Sequence, residues 1–300
     1  MDARETAAAV AVAVVWGLTF IAIKRGVAEI PPLMFSALRF LFAAVPAAFF
    51  LRPPKAAAWR VVAYGIVLGV GQFGLLFLAI RAGMPASLSA VVVQSQAFFT
   101  VALAAPLLGE RPTPMQAIGG AVSLAGIVTM SIDRLGGASI GPFVMVVGGA
   151  FCWAIANVLA KGAARDGGGR VDMFAFVVWS SLAAPAPLFA LSYAVEGRGA
   201  FVALAHTSFV GWICVAVVAY GATIFGFGLW SWLMSRHSAA TVGPFSLLVP
   251  VVGVVGSMLA FGESMKPLEV AGASLVLSGL ALGLAPAPRA LAAKFSGSTP

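Results

Sequence analysis

The sequence predicts an all-α polytopic membrane protein: ten transmembrane helices arranged as two inverted five-helix repeats. Three observations carry this expectation. The chain has 300 residues, 61% of them hydrophobic and 9% charged, with mean hydropathy +1.03, whereas a soluble domain carries about 25% charged residues. So few charges leave a water-facing surface uncovered. Apolar runs of span length recur down the whole chain, parted by short charged or Pro/Gly breaks. One motif also recurs at a fixed offset with an odd number of spans per half. Soluble enzymes, disordered chains and disulfide scaffolds are excluded, and the lack of period-two alternation excludes a β-barrel.

Each span has its own boundaries. The first, 7–28, follows a short terminus in which Asp2 and Glu5 offset Arg4. Its apolar run, Ala7 to Ile23, exceeds the core of a signal peptide and reads as a span. Pro31 and Pro32 separate it from the second, 33–51, which ends at Arg52-Pro53-Pro54-Lys55. The third, 59–80, runs up to Arg81. Pro85 precedes the fourth, 86–108, which stops at Gly109-Glu110, and Pro114 opens the fifth, 114–131. The sixth, 141–162, is followed by a glycine run and then by the seventh, 171–191. The longest connection, around Glu196–His206, leads to the eighth, 208–234. The ninth, 239–261, stops at Gly262-Glu263, and Pro267 opens the tenth, 267–285, ahead of a tail at 287–300.

The net charge of +8 does not imply a nucleic-acid partner, because Lys and Arg sit singly between apolar runs. Counted on alternate sides, eleven basic residues share the side of Arg4 and six the other, with Arg39 inside a span. The richer side is expected to be cytoplasmic, which places both termini there and the chain in a bacterial-type inner membrane. Cys152 and Cys214 lie inside apolar runs and offer neither a disulfide framework nor metal spacing.

The repeat is the most informative feature. PLLGERPTPMQAIGG (106–120) matches LAFGESMKPLEVAGA (259–273), and Gly109, Glu110, Pro114, Gly119, Leu124 and Gly126 recur 153 residues later. Trp16 and Lys24 recur as Trp153 and Lys161 at an offset of 137. The 16-residue difference is expected in the 191–208 connection. The halves are assigned to 1–135 and 136–286. Five spans per half force opposite orientations, and inverted repeats place a site near the midplane where the halves meet.

WGLTFIAIKRG (16–26), PPLMFSALRF (31–40) and the paired Gly-Glu ends of spans four and nine resemble the drug/metabolite transporter superfamily, specifically the EamA family of ten-span exporters. The resemblance covers about residues 5–285, and within the family the chain is most similar to the YddG-like amino-acid exporters. It implies export of amino acids and related metabolites, a cavity lined by spans 1–4 and 6–9, and peripheral spans 5 and 10.

Every acidic residue falls at a predicted terminus, connection or helix end, and His206 and His237 sit in connections. No nucleophile–base pair, paired carboxylates or metal spacing assembles at membrane depth, so neither catalysis nor a metal or other cofactor is expected. A proton relay through a central carboxylate is equally unsupported.

Neutral polar groups do fall at depth: Thr19, Gln72, Gln94, Gln96, Asn157 and Tyr220. Carboxamides suit a zwitterionic or uncharged substrate, although they also bridge helices as ordinary packing. Trp16 and Trp153, at equivalent repeat positions, are expected to clamp an apolar group or face an ammonium, whereas Trp179, Trp212, Trp230 and Trp232 read as interfacial anchors. Phe20, Phe73 and Phe225 are weaker lining candidates. Arg39 is a candidate partner for a substrate carboxylate, while Lys24 and Lys161 read as snorkelling to the interface. Pro244 and Pro250 are candidate hinges in span nine. Glu110 and Glu263 are expected to cap the helix that follows each.

Together these features predict an alternating-access carrier in a lipid bilayer that exports aromatic and other neutral amino acids, such as Met and Thr, by facilitated diffusion. A sugar or nucleotide-sugar carrier would want more cavity cations than Arg39. A lipid-handling or scaffold protein would not need mid-span carboxamides.

Overall fold

The computed structural model describes residues 2–109, 113–132, 140–166, 171–236 and 242–284. Among these, six helices are long and apolar enough to cross a membrane, and four shorter apolar helices complete a set of ten. They are α1 (Ala3–Glu29), α2 (Pro32–Ala48), α3 (Ala58–Arg81), α4 (Ala86–Leu108), α5 (Pro114–Ile132), α6 (Ile140–Asp166), α7 (Met173–Glu196), α8 (209–236), α9 (243–261) and α10 (Pro267–Leu284). A short helix, Gly199–His206, occupies the α7–α8 connection.

Local chemistry explains the ends. A capping box starts α1 four residues before the apolar run: Glu5 N–H donates to Asp2 Oδ1 at 2.8 Å, and Asp2 N–H to Glu5 Oε2 at 2.9 Å. Proline at the first position of α2 needs no amide partner there. Gly109 and Gly262, at φ +66° and +63°, close α4 and α9 in the left-handed conformation.

The repeat is written in the helix irregularities. α1 and α6 each have 27 residues. α3 and α8 both change to π-helical winding midway, over Val67–Gly74 and Val217–Phe227. In α4 a 3₁₀ turn interrupts the helix at Val93–Ser95, and in α9 one begins it at Gly243–Leu247. The first π segment carries Gly69, Gly71 and Gly74, so an extra residue per turn crowds few side chains.

α1 packs against α4, α8 and α9. Gly17 lets it close on α9, where an added Cβ would meet Val249 O at 2.9 Å, and Gly253 of α9 closes on Ala90 of α4. At the periphery, α5 and α10 cross through small residues: Gly119 faces Gly279, Gly126 faces Gly272, and Ser123 Oγ donates to Val276 O at 3.0 Å. Each of these pairs maps onto itself or another when the halves are exchanged, so the crossing lies on the pseudo-two-fold axis. Outward-facing apolar side chains such as Phe209 (80% exposed) and Leu259 (83%) coat the bundle, as a lipid-facing surface requires.

The two ends of the bundle differ. At the end where α1 finishes, three carboxylates cap helices that are not their own. Glu29 accepts from Ser208 N–H and Oγ–H at the start of α8, both at 2.9 Å. Glu196 accepts from Leu33 N–H at 2.7 Å and Met34 N–H at 3.2 Å on α2. Glu263 accepts from Ala86 N–H at 3.0 Å and Ser87 N–H at 2.9 Å on α4. The expectation that Glu263 caps the following helix is therefore corrected, because the bundle brings the α4 terminus nearer; Glu110 lies outside the described residues. Lys24 also departs from snorkelling, pairing with Glu263 at 2.6 Å over the Phe261 ring. At the opposite end, Arg60 pairs with the half-exposed Asp166 at 2.9 Å, joining α3 to α6.

Candidate functional cavity

A cavity of about 300 Å³ lies between the two halves. From α1 it receives Trp16, Thr19, Phe20 and Ile23; from α2, Arg39; from α3, Leu68, Gln72, Phe73 and Leu76. The 3₁₀ turn of α4 turns in Val93 and Gln94, with Gln96 beside them. α6 adds Trp153 and Asn157, four residues apart on one face, and α9 adds Ser246 and Val249. Val218, Ala222, Phe227 and Trp230 come from α8.

Asn157, Phe227 and Trp230 also line a vestibule of about 890 Å³ that includes Lys161, Val171 and Asp172. The cavity therefore leads toward the end of the bundle where α6 finishes and α7 begins. The other end is the one fastened by Glu29, Glu196 and Glu263.

Arg39 is the sole charge among the described lining residues. It stands seven residues into α2, about 10 Å from its start, and is 3% exposed. The guanidinium lies over the Phe73 ring, 3.4 Å from its centroid. Nη2 stands 3.5 Å from Thr223 Oγ1, a long contact, and Nε and Nη1 are buried without a partner. Gln72 is 1% exposed with Oε1 likewise unpartnered. Of the other amides, Asn157 Nδ2 donates to Gln96 Oε1 at 2.7 Å and to Thr100 Oγ1 at 3.1 Å, tying α6 to α4.

Trp16 and Trp153 both border the cavity, but Trp16 is held by α8. Its Nε1–H donates to Ala222 O at 2.9 Å, and its ring lies 5.3 Å from those of Phe227 and Trp230. Gly226 leaves the room for this approach. Thr19 Oγ1 donates within its own helix to Trp16 O.

Tyr220 departs from expectation: it is 43% exposed on the outer face, because the lining positions Val218 and Ala222 flank it on the opposite side of α8. Phe225 also faces outward, 46% exposed, whereas Phe20 and Phe73 turn in. Trp230, read as an interfacial anchor, is a cavity residue. Its signal was the spacing of four along Val218, Ala222, Gly226 and Trp230, which one face of a widened helix repeats. Pro244 and Pro250 bracket the junction at Leu247–Leu248 where the 3₁₀ turn becomes α-helix.

The model of the EamA-like transporter family matches residues 5–132 and 141–284. The chain is 37% identical over 286 residues to a probable amino-acid metabolite efflux pump of Salmonella typhimurium, covering 93% of this chain and 94% of that protein. It is 36% identical over 283 residues to a protein of the same description in Escherichia coli, with the same coverage. An uncharacterized inner membrane transporter of Escherichia coli, YedA, is 26% identical over 263 residues, covering 85% and 82%. A crystal structure with TM-score 0.63 and 20% identity, covering 99% of this chain and 100% of its own, shares the fold. The chain belongs to the EamA-like transporter family and is a multi-pass membrane transporter, not an enzyme.

Proposed function

We propose that the protein exports amino acids and related small metabolites across a bacterial inner membrane by alternating access between two inverted halves, 1–135 and 136–286. The descriptions of the two relatives above 35% identity support amino-acid export. The observation that carries the reading is the cavity itself: one cation, several carboxamides and an aromatic wall, in a volume suited to one small solute. Trp16, Thr19, Gln72, Gln94, Gln96, Trp153 and Asn157 are the substrate-binding candidates, and Arg39 the carboxylate partner. Pro244 and Pro250 serve as the hinge of α9. With both termini cytoplasmic, the vestibule faces the cytoplasm and the carboxylate-capped end faces outward, a state ready to load from inside. Aromatic and other neutral amino acids fit the apolar wall. Among the described residues no carboxylate lines the cavity, which favours facilitated diffusion down the substrate gradient.

The test is counterflow in proteoliposomes preloaded with unlabelled amino acids, with labelled methionine, threonine, phenylalanine and glucose supplied outside. Amino-acid accumulation without an imposed pH gradient is expected. Accumulation of glucose alone, or of nothing by folded protein, overturns the reading.

A further inference from the structure

Among the described residues, buried side-chain polar atoms without partners are few, and those on cavity-lining residues are three: Nε and Nη1 of Arg39 and Oε1 of Gln72. The remainder belong to serines away from the lining. An unmade hydrogen bond in a buried site is costly, and an unpaired buried charge more so. Three such atoms on two neighbouring helices that line one cavity differ in kind: cationic donors on α2 and a neutral acceptor on α3.

Nε and Nη1 belong to different edges of the guanidinium, and Nη2 carries a hydrogen toward each edge. Either planar edge therefore presents an unpartnered donor to a carboxylate. Phe73 fixes the plane of that group from one face. Gln72, adjacent in sequence to Phe73, brings Oε1 as an acceptor suited to an ammonium. The two interactions are unequal, since hydrogen bonds to an ionised acceptor from an ionised donor are about twice as strong as neutral ones.

We propose that the cavity holds the head of an α-amino acid between Arg39, which donates to the carboxylate, and Gln72, whose Oε1 accepts from the ammonium, so that the carboxylate is obligatory and the ammonium replaceable. The inference rests on the amino-acid reading but refines it. The substrate class extends to N-acylated and deaminated carboxylic acids with the same neutral side chains, and excludes amines that lack a carboxylate. A cation entering this cavity meets Arg39 with no described acid beside it.

The experiment compares methionine, N-acetylmethionine, its α-keto acid and methioninamide by two readouts. One is thermal stabilisation of the purified protein at millimolar ligand, and the other is competition against labelled methionine in counterflow. The three carboxylates are expected to stabilise and compete within several-fold of one another, and the amide to do neither. Arg39→Gln is expected to lose about 10- to 100-fold in affinity for all three acids, and Arg39→Lys to recover part of it. Gln72→Leu is expected to weaken methionine several-fold while leaving the keto acid unchanged, a selective effect that general misfolding does not give. The wild-type ligand series stands even where a variant fails to fold. Equal stabilisation by methioninamide, or none by any compound, overturns the proposal. Methionine counterflow blocked equally by the amide leaves the exporter reading intact and removes this one. Carboxylate-dependent stabilisation without methionine counterflow does the reverse.

Discussion

Lys24 Nζ and Glu263 Oε1 meet at 2.6 Å although 239 residues separate them in the chain. The same carboxylate receives two amides from the start of α4, so one side chain ties α1, the α9–α10 connection and α4 together. Glu29 and Glu196 make equivalent ties to α8 and α2 at the same end. Each cap places a negative charge where a helix N-terminus is electropositive. In the alternating-access cycle proposed above, opening at this end must break or carry these ties. Glu263→Gln is expected to populate the outward-open state, read as increased labelling of a cysteine introduced at Ile23, on the cavity wall. Unchanged labelling would show that this tie does not hold the gate.

The Glu263 tie also predicts a pH dependence. Burial pushes the carboxyl toward the neutral form, but Lys24 and the Ser87 and Ala86 amides outweigh that and hold it below its ordinary 4.5. The unfolded chain therefore binds more protons at this position than the native one in that range. The stabilisation is complete above the ordinary value and is lost as pH falls through the depressed native value. Melting curves from neutral to acid pH are expected to show wild type falling toward Glu263→Gln, which is less stable at neutral pH and lacks this component. Parallel curves would remove Glu263 as the titrating group.

Asn157 and Gln96 are coupled at 2.7 Å across α6 and α4. Asn157→Leu and Gln96→Leu are expected to be non-additive, with a coupling of about 1 kcal/mol in a double-mutant cycle on thermal stability. Tyr220→Leu, on the outer face, is expected to keep methionine counterflow within about twofold, since surface changes are usually nearly neutral. A severe loss there would place Tyr220 in the transport path.

Between α5 and α10 there is little tolerance for added volume. A Cβ at Gly126 would stand 2.6 Å from Gly272 O, so Gly126→Leu has to separate the helices. Overpacking of this kind costs about 1–3 kcal/mol. A lowered melting temperature is expected, with methionine counterflow per folded molecule retained, because neither helix contributes to the cavity lining.

The ten helices were legible because charges and prolines cluster where apolar runs stop, and a span has little freedom of length. The repeat was legible because Gly-Glu-x₃-Pro survives in both halves. Cavity positions of Gln72, Gln94 and Asn157 followed from one rule, that polar groups at depth turn inward. Tyr220 escaped that rule because a phenol on a helix exterior reaches the interface or lipid at little cost. Trp230 was missed for the complementary reason: near the end of a span, a tryptophan facing lipid and one facing a cavity have the same local sequence. The capping carboxylates were unreadable in principle, since a local pattern pairs Glu263 with its own neighbours and not with an amide 177 residues away.

The crossing of α5 and α10 has the form of a contact between identical subunits: exchanging the halves turns the Gly119–Gly279 contact into Gly272–Gly126 and leaves Ser123–Val276 as it is. Two separate half-length proteins joined this way would have to enter the membrane in opposite directions. Neither could carry a strong bias of positive charge, because the same bias would turn both copies the same way up. A single chain escapes that conflict, since its first half dictates the direction of its second. The unequal distribution of Lys and Arg between the two sides is therefore a freedom that fusion confers, and an unfused half could not keep both it and this interface.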